Sequence, residues 1–476
     1  MRPRITSTCL STTSSEPAQR GIQSMLNRKV LFTAVATLSL YTANVSAAIS
    51  SAEVKRLQED LTPVGAERAG NAEGTIPEWT GGLTEVPAGW ERGDDRPDPF
   101  ADEEPLFTIT AANMDQYADR LTDGSIALLE RYPEFSMPVY ETHRTAAWPQ
   151  RVYDSIAEQA TTAKLVDDGN GVSGVWGAIP FPIPKNGNEA IWNHNLRFLG
   201  TYLNVPSAIA TIVYNNDQKF EWWFSNKVHY TYYDPSITDE TREEGALFRY
   251  AATVHAPARD AGEGYVALEY IDAKENPRKA WTYDPGERRA RRAPNLAFDT
   301  PDRPMNVIDD YDMFSGSPER YDWKLVGKRE MYVPYNNNYL NSIKHSVEDV
   351  YRTPVINAEL TRYELHRVWV VEATVKPDAR HIYAKRVFYI DEDTWSILAT
   401  DKYDGNGNLW RVGFNFPVTA PEVPVTAGGI NVHYDLKVGG YYAIGGATGE
   451  ERAPTFDEEA PQSAYYSASA LRRRGR

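Results

Sequence analysis

The chain has 476 residues, of which 41% are apolar, 24% charged and 12% aromatic, with 29 Tyr and 12 Trp. That length and apolar share suffice for a large β domain or for two to three ordinary domains, and they exclude a chain that is disordered throughout. A formal charge of −16 removes any global drive toward nucleic acid and favours solubility over adsorption to anionic membranes.

Residues 1–24 are poor in apolar side chains and rich in Ser and Thr, and they read as an extension that is open to being a misassigned start ahead of Met25. Residues 25–47 read as a signal peptide. Arg28 and Lys29 supply the positive end, Val30–Tyr41 the apolar stretch, and Val45-Ser46-Ala47 an A-x-A-like cleavage site. Cleavage after Ala47 is expected, delivering a soluble protein to the periplasm of a Gram-negative bacterium. The single cysteine, Cys9, lies ahead of that site. The processed chain would therefore have no disulfide, no thiolate nucleophile, no Cys-ligated zinc and no lipidated Cys.

Ser50 and Glu53 have the spacing of a capping box and predict a short helix ending near Leu61, where Thr62-Pro63-Val64-Gly65 stops it. Asn71–Val86 is punctuated by Gly and Pro yet carries Ile76, Trp79 and Leu83, which predicts an ordered loop. Gly89–Pro105 is acidic and proline-rich, an exposed stretch. Helical spacing returns at Ala111–Leu121, Ile126–Tyr132 and Gln150–Val166, with Tyr132–Trp148 held extended by its prolines. Residues 48–171 are thus expected to form a helical, loop-rich part that packs on a sheet.

From residue 172 the pattern is that of strands: Lys219–Tyr233, Leu247–Ala256, Tyr265–Ile271, Lys279–Tyr283, Trp323–Tyr332, Tyr363–Val375, Ala384–Ile390 and Ser396–Lys402. Asp391–Thr394 and Asp404–Asn408 have tight-turn composition. No helix-length apolar pattern intervenes, so residues 172–445 predict an antiparallel meander rather than repeated βαβ units. Residues 446–476 are polar and expected to be a disordered tail.

Motifs of catalysis are scarce. Gly169–Gly174 matches G-x-G-x-x-G, but a helix precedes it and Pro180, Pro182 and Pro184 follow, so the strand and helix that a dinucleotide needs are missing. Asp404–Asn408 has the flavour of a calcium loop, but Leu409 and Asn415 fall where an EF-hand requires Gly and Glu, which leaves a hairpin turn. None of the eight histidines forms H-x-x-x-H or H-E-x-x-H, and G-x-S-x-G and P-loop sequences are absent. No metal site, cofactor or catalytic residue is expected. Asp309, Asp310 and Asp312 could do acid–base work, although such a run is more often solvated surface.

Two stretches remain as candidate ligand sites. Ile179–Pro184 (IPFPIP) is held extended and stripped of N–H donors by its prolines, which suits a sheet edge or a cavity rim. Trp192, His194 and Arg197 follow it and are either parts of a capped turn with a buried Trp or members of a ligand site. The other stretch is Ala280–Pro294 (AWTYDPGERRARRAP), a hairpin whose second strand carries Arg288, Arg289, Arg291 and Arg292. Two readings stand for these arginines: pairing with acids of the adjacent strand, or contact with a lipid headgroup or partner. Trp281, Arg289 and Arg291 are the ligand-binding candidates here.

Five segments together resemble a family. They are LTPVGAERAGNAEGTIPEWTGGL (Leu61–Leu83), YPEFSMPVYETHRTAAWP (Tyr132–Pro149), GAIPFPIPKNGNEAIWNH (Gly177–His194), the arginine hairpin, and TDKYDGNGNLWR (Thr400–Arg411). They are similar to the proteobacterial proteins grouped as domain of unknown function 1329, relatives of the outer-membrane lipoprotein-sorting proteins. The resemblance implies a mainly β (α+β) fold, in which a strongly curved antiparallel sheet forms an incomplete β-barrel and helices cover its concave face. It implies binding and transfer of a lipid or other hydrophobic cargo. It also implies partnership with an inner-membrane RND-type (MMPL-like) transporter and an outer-membrane protein. A lipid- or glycan-acting hydrolase and a non-catalytic transporter scaffold are the alternatives. No catalytic residue carries over from the family.

Overall fold

In the computed structural model, the structure describes residues 49–237, 246–293, 296–457 and 459–475. The expected extension, signal peptide and Cys9 lie outside the described residues.

Thirteen strands form the body of one large sheet. Six come first: β1 (Tyr202–Tyr214), β2 (Lys219–His229), β3 (Ala246–Ala256), β4 (Gly264–Tyr270), β5 (Lys279–Asp284) and β6 (Arg289–Arg292). After a crossing segment come β7 (Tyr321–Pro334), β8 (Tyr363–Val375), β9 (Lys385–Asp391), β10 (Ile397–Tyr403), β11 (Leu409–Ala420), β12 (Val425–Asp435) and β13 (Gly440–Gly446). The spatial order is β7-β8-β9-β10-β11-β12-β13-β1-β2-β3-β4-β5-β6, antiparallel throughout. The chain therefore enters mid-sheet, runs out to the β6 edge, crosses to the β7 edge and returns until β13 pairs with β1. Short strands at Phe107–Ile109, Met137–Val139 and Thr455–Asp457 complete the sixteen.

Register shifts interrupt most pairs, for example between Val205 and Ala208, Phe416 and Val418, and Ile444 and Gly446. Such bulges bend and twist strands, which lets the sheet curve without closing. The first also accommodates Pro206, which has no N–H for a regular ladder. At the β13–β1 join, Gly440 has φ 136°, and a Cβ there would fall 2.3 Å from the Val213 carbonyl oxygen, so this approach requires glycine.

Both faces of β8–β12 are covered. On the outer face, α1 (Asp123–Arg131) and the segments around Ile109, Met137, Tyr335 and Tyr351 pack on Val368, Val370, Phe414, Val432 and Tyr434. On the concave face lie residues 49–66 and 148–199, with Leu57, Leu61, Val152 and Ile156 packed with Val371, Phe388, Ile390 and Ile397. The capping box forms as expected, the Ser50 hydroxyl accepting from the Glu53 N–H. The helix predicted over Gln150–Val166 is shorter: α2 spans Gln150–Gln159, and Lys164–Val166 pairs with Gly171–Ser173 as a two-stranded ribbon. Ala111–Leu121 forms two 3-10 turns, at Met114–Gln116 and Ala118–Arg120, instead of a helix.

The proline run departs from its expected place at a sheet edge or cavity rim. Ile179, Pro180, Phe181 and Pro182 are buried. The Phe181 backbone, which lacks ladder partners, is satisfied by one side chain: Asn193 accepts its N–H (2.9 Å) and donates to its carbonyl (2.6 Å). Gly65 (φ 91°) lies against this run, where a Cβ would sit 1.7 Å from the Pro182 carbonyl oxygen.

The tail expected to be disordered is packed. Ser463–Tyr466 forms a 3-10 turn and α4 spans Ala468–Arg474, burying Tyr466 and Leu471 against Val266, Leu268 and Tyr283 on the outer face of β4 and β5. Two large apolar side chains, spaced to reach one exposed sheet face, outweigh the polar composition around them. Short helices also form at Ser51–Arg56 and Val347–Val350, and α3 (Gly187–Asn195) is capped by Asn186, whose side chain accepts the Glu189 N–H at 3.0 Å.

Candidate functional site: a cavity behind the crossing segment

The concave face is filled over β8–β10 but left open over β1–β4, and there a cavity of about 470 Å³ remains. Strand alternation builds its wall. In β2, Trp222, Phe224, Asn226 and Val228 face inward; in β3, Phe248, Tyr250, Ala252 and Val254 do. Val205, Ala208 and Ala210 of β1 and Tyr442 and Ile444 of β13 continue it. Leu296, Ile308, Tyr311 and Phe314 of the crossing segment roof it, together with Trp192 and Arg197. The volume falls in the range of about 300–1,000 Å³ typical of small-molecule sites, and the wall is mostly apolar with a few polar groups.

The charged groups among them are paired, whereas Asn226 Oδ1, Asn431 Oδ1 and the Tyr270 hydroxyl are buried without a hydrogen-bond partner. Arg197 donates to Asp312 at 2.5 Å, Arg278 pairs with Glu269, and Tyr311 donates to Asp302. The Arg303 guanidinium lies 4.6 Å from the Trp222 ring centroid. Burial raises the phenols of Tyr230, Tyr250 and Tyr265, so they serve as neutral donors and acceptors.

His194 does not line the cavity but pins its roof. Its Nε2 lies 3.1 Å from the Phe314 carbonyl, and its Nδ1 is 3.2 Å from Arg197 Nη1 and 3.3 Å from the Ile397 N–H. Nδ1 also lies 3.1 Å from the Trp395 carbonyl, so each nitrogen of the ring faces a backbone carbonyl. Burial, reinforced by the Arg197 charge, pushes its pKa down to about 4. Trp192 donates its indole N–H to the Gly169 carbonyl at 2.8 Å.

The other three candidates lie elsewhere. Trp281 pairs in register with Val266 and packs with Tyr283 and Leu471 on the outer face, because strand alternation turns it away from the cavity. Arg289 and Arg291 are exposed on the edge strand β6, and Arg291 pairs with Glu287 of its own turn. Thus the structure places Trp192 and Arg197 at the cavity, with His194 behind its roof, and excludes Trp281, Arg289 and Arg291 from it.

Asp309 and Asp310 are not solvated surface. Both are buried on the sheet side of the crossing segment, facing a lateral row of basic side chains. Arg386 of β9, Lys402 of β10 and Arg411 of β11 are register neighbours, followed by Asp435 of β12. Asp310 Oδ1 lies 2.9 Å from Arg386 and 2.8 Å from Lys402, and its Oδ2 accepts from the Tyr383 hydroxyl at 2.7 Å. Asp309 lies 3.0 Å from both Arg386 and His381. Burial opposes ionisation of Asp310, but the Lys402 and Arg386 charges prevail and hold its pKa below the usual carboxylate range. Burial pushes Lys402 down to about 8 and drives His433, 3.0 Å away, well below its usual value. This cluster latches the cavity roof to the sheet. Sequence reasoning missed it because the partners come from three strands, although their shared register offset from successive turns was a usable signal.

A second buried cluster offers His366, Asp391 and Asp393 atoms within 4.8 Å of one another. Arg144 takes both oxygens of Asp393 (2.8 and 2.7 Å) and Glu364 holds His366 at 3.0 Å, while Asp391 accepts through Oδ2 alone and burial, with Asp393 beside it, pushes its pKa up to about 6.

An open, curved antiparallel sheet thus carries a ligand-sized, mostly apolar cavity between its concave face and a roof held to it by buried ion pairs. The family model described as "Protein of unknown function (DUF1329)" matches residues 108–472, and the chain belongs to this family. An uncharacterized protein of Pseudomonas aeruginosa is 43% identical over 453 residues, covering 94% of this chain and 98% of that protein. A crystal structure of a DUF1329 family protein from Desulfovibrio piger matches at 16% identity and a TM-score of 0.39, over 57% of this chain and 92% of that one. A LolA superfamily protein from Nitrosomonas europaea matches at 12% identity and a TM-score of 0.34, over 58% of this chain and 93% of that one.

Proposed function

We propose that the protein binds a lipid or another hydrophobic molecule in the cavity behind the crossing segment and passes it on within the periplasm. The observation that carries this reading is the unfilled apolar wall of β1–β4, in a sheet whose other half is packed on both faces. Each methylene moved from water onto such a wall gains about 0.8 kcal/mol, so capture needs little directional polar chemistry. Carriage rather than catalysis is favoured by the commitment of Asp309, Asp310 and His194 to fixed internal partners. An envelope transporter of the RND type and an outer-membrane protein would be the donor and acceptor.

Native mass spectrometry of the protein purified from periplasm, followed by organic extraction, tests this reading. A stoichiometric hydrophobe, lost in an Ala252→Trp variant that fills the cavity, is expected. An apo mass, together with no binding of an added fluorescent fatty acid, would refute it.

A further inference from the structure

The arginines that the cavity does not use mark a surface of their own. Arg288, Arg289, Arg291 and Arg292 are all exposed, on β6 and the turn that precedes it. β6 ends the sheet; among the described residues it pairs with β5 alone. α4 packs against both β5 and β6, with Leu471 directed inward and Arg472 and Arg473 exposed. Six exposed guanidiniums from two segments distant in sequence therefore belong to one edge of a protein whose formal charge is −16. The acids nearby in sequence are Asp284, which accepts the N–H groups of Gly286 and Glu287, and Glu287, which pairs with Arg291. The arginines outnumber them.

Protection of an edge strand from pairing would account for one or two charges, and lysine would serve equally well. Here every basic residue of the patch is arginine, whose planar fork matches phosphate oxygens two at a time. Arg292 shares the strand face that packs on α4 while Arg289 and Arg291 take the opposite face, and none of them lines the cavity, so the arginines fringe both sides of the edge and suit an array of phosphates more than a single ligand. At physiological ionic strength, charges beyond about 8 Å are largely screened, so the acidic remainder of the molecule orients the approach of this edge without preventing it.

We propose that the β6–α4 edge docks on the headgroups of an anionic phospholipid bilayer. Docked this way, the β4–β5 side of the cavity wall, with Tyr265, Ala267 and Glu269, is the side nearest the membrane. Nothing in this proposal depends on what the cavity holds.

The test is co-sedimentation of the processed full chain with vesicles of phosphatidylethanolamine and phosphatidylglycerol, with phosphatidylcholine vesicles as the neutral comparison. Binding to the anionic vesicles that weakens steeply with added NaCl is expected. Combining Arg289→Gln, Arg291→Gln, Arg472→Gln and Arg473→Gln should weaken it by about 1,000-fold, at about 1 kcal/mol for each arginine at the surface. Lys324→Gln, on an exposed side chain of the opposite edge strand β7, should leave it unchanged. All four arginines are exposed, and an unchanged thermal melt confirms that the variant is folded. No binding to anionic vesicles, equal binding to neutral ones, or full binding by the quadruple variant would overturn the proposal. Arginine-dependent capture of polyglutamate without vesicle binding would also overturn it, and would assign the edge to an acidic protein.

Discussion

Replacing Asp310 with Asn removes the charge that two buried cations share. Asp310 lies 2.8 Å from Lys402 and 2.9 Å from Arg386, and it also accepts the Tyr383 hydroxyl. Breaking a buried pair by deleting one partner costs about 3–5 kcal/mol, because the remaining charge stays desolvated. Asp309 keeps Arg386 partly compensated, but no contact joins it to Lys402. Lys402 titrates near pH 8 with Asp310 in place. Without it, the Lys402 pKa falls further and the buried ammonium gives up its proton more readily, which limits the loss to the lower end, about 3 kcal/mol. Urea unfolding reads the global cost, and hydrogen exchange of residues 296–317 reads whether the cavity roof loosens. Lys402→Met removes the stranded cation at similar volume, so the double variant should be at least about 1 kcal/mol more stable than the two single effects predict. If Asp310→Asn costs less than about 0.5 kcal/mol and leaves exchange unchanged, the cluster is not a latch.

Three further outcomes follow from other parts of the molecule. Ala252→Trp should abolish fluorescent fatty acid binding while costing about 1–3 kcal/mol in stability from overpacking, which binding titration and thermal melting separate. Asp401 is buried beside Asp123, and burial first and that neighbour second push its pKa up to about 7, while it accepts from Gly124 N–H and Tyr389 hydroxyl. The folded state then holds a proton that the unfolded chain releases near pH 4, so stability falls as pH rises from about 4 to 7. Asp401→Asn should flatten that slope, stabilising the protein at pH 7.5 and changing little at pH 4, measured by denaturation across pH. Leu471→Ala should cost about 2–5 kcal/mol and expose the outer face of β4 and β5 to limited proteolysis, whereas a tail without a fixed place would tolerate it.

The meander was legible in the sequence because its strands are long and bounded by strong turns. Tyr363–Val375 was found at its observed ends, and Asp404–Asn408 forms the predicted hairpin turn, with Asp404 accepting the Asn406 and Asn408 N–H groups. What local pattern does not carry is the second face. Trp281 and Trp222 sit in similar aromatic strands, yet one faces the cavity and the other α4, a difference set by which outside segment each face meets. The same holds for Asp309 and Asp310, whose run looks solvated until Arg386, Lys402 and Arg411 are brought beneath it by register. Gly187–Asn195 escaped helical assignment because it is buried on nearly all sides, so no amphipathic stripe marks it.

The pairing of β13 with β1 in mid-sheet sets an order on assembly. The β1–β6 hairpins emerge early and can zip locally, but the free side of β1 stays unpaired until residues 440–446 have been made, more than two hundred residues later. For that interval the nascent chain shows an apolar strand edge of the kind that recruits other chains. Long-separation pairing of this sort is slow to form. Productive folding of this protein should therefore lean on a holding chaperone, and its yield should fall when synthesis is pushed faster than that chaperone can serve.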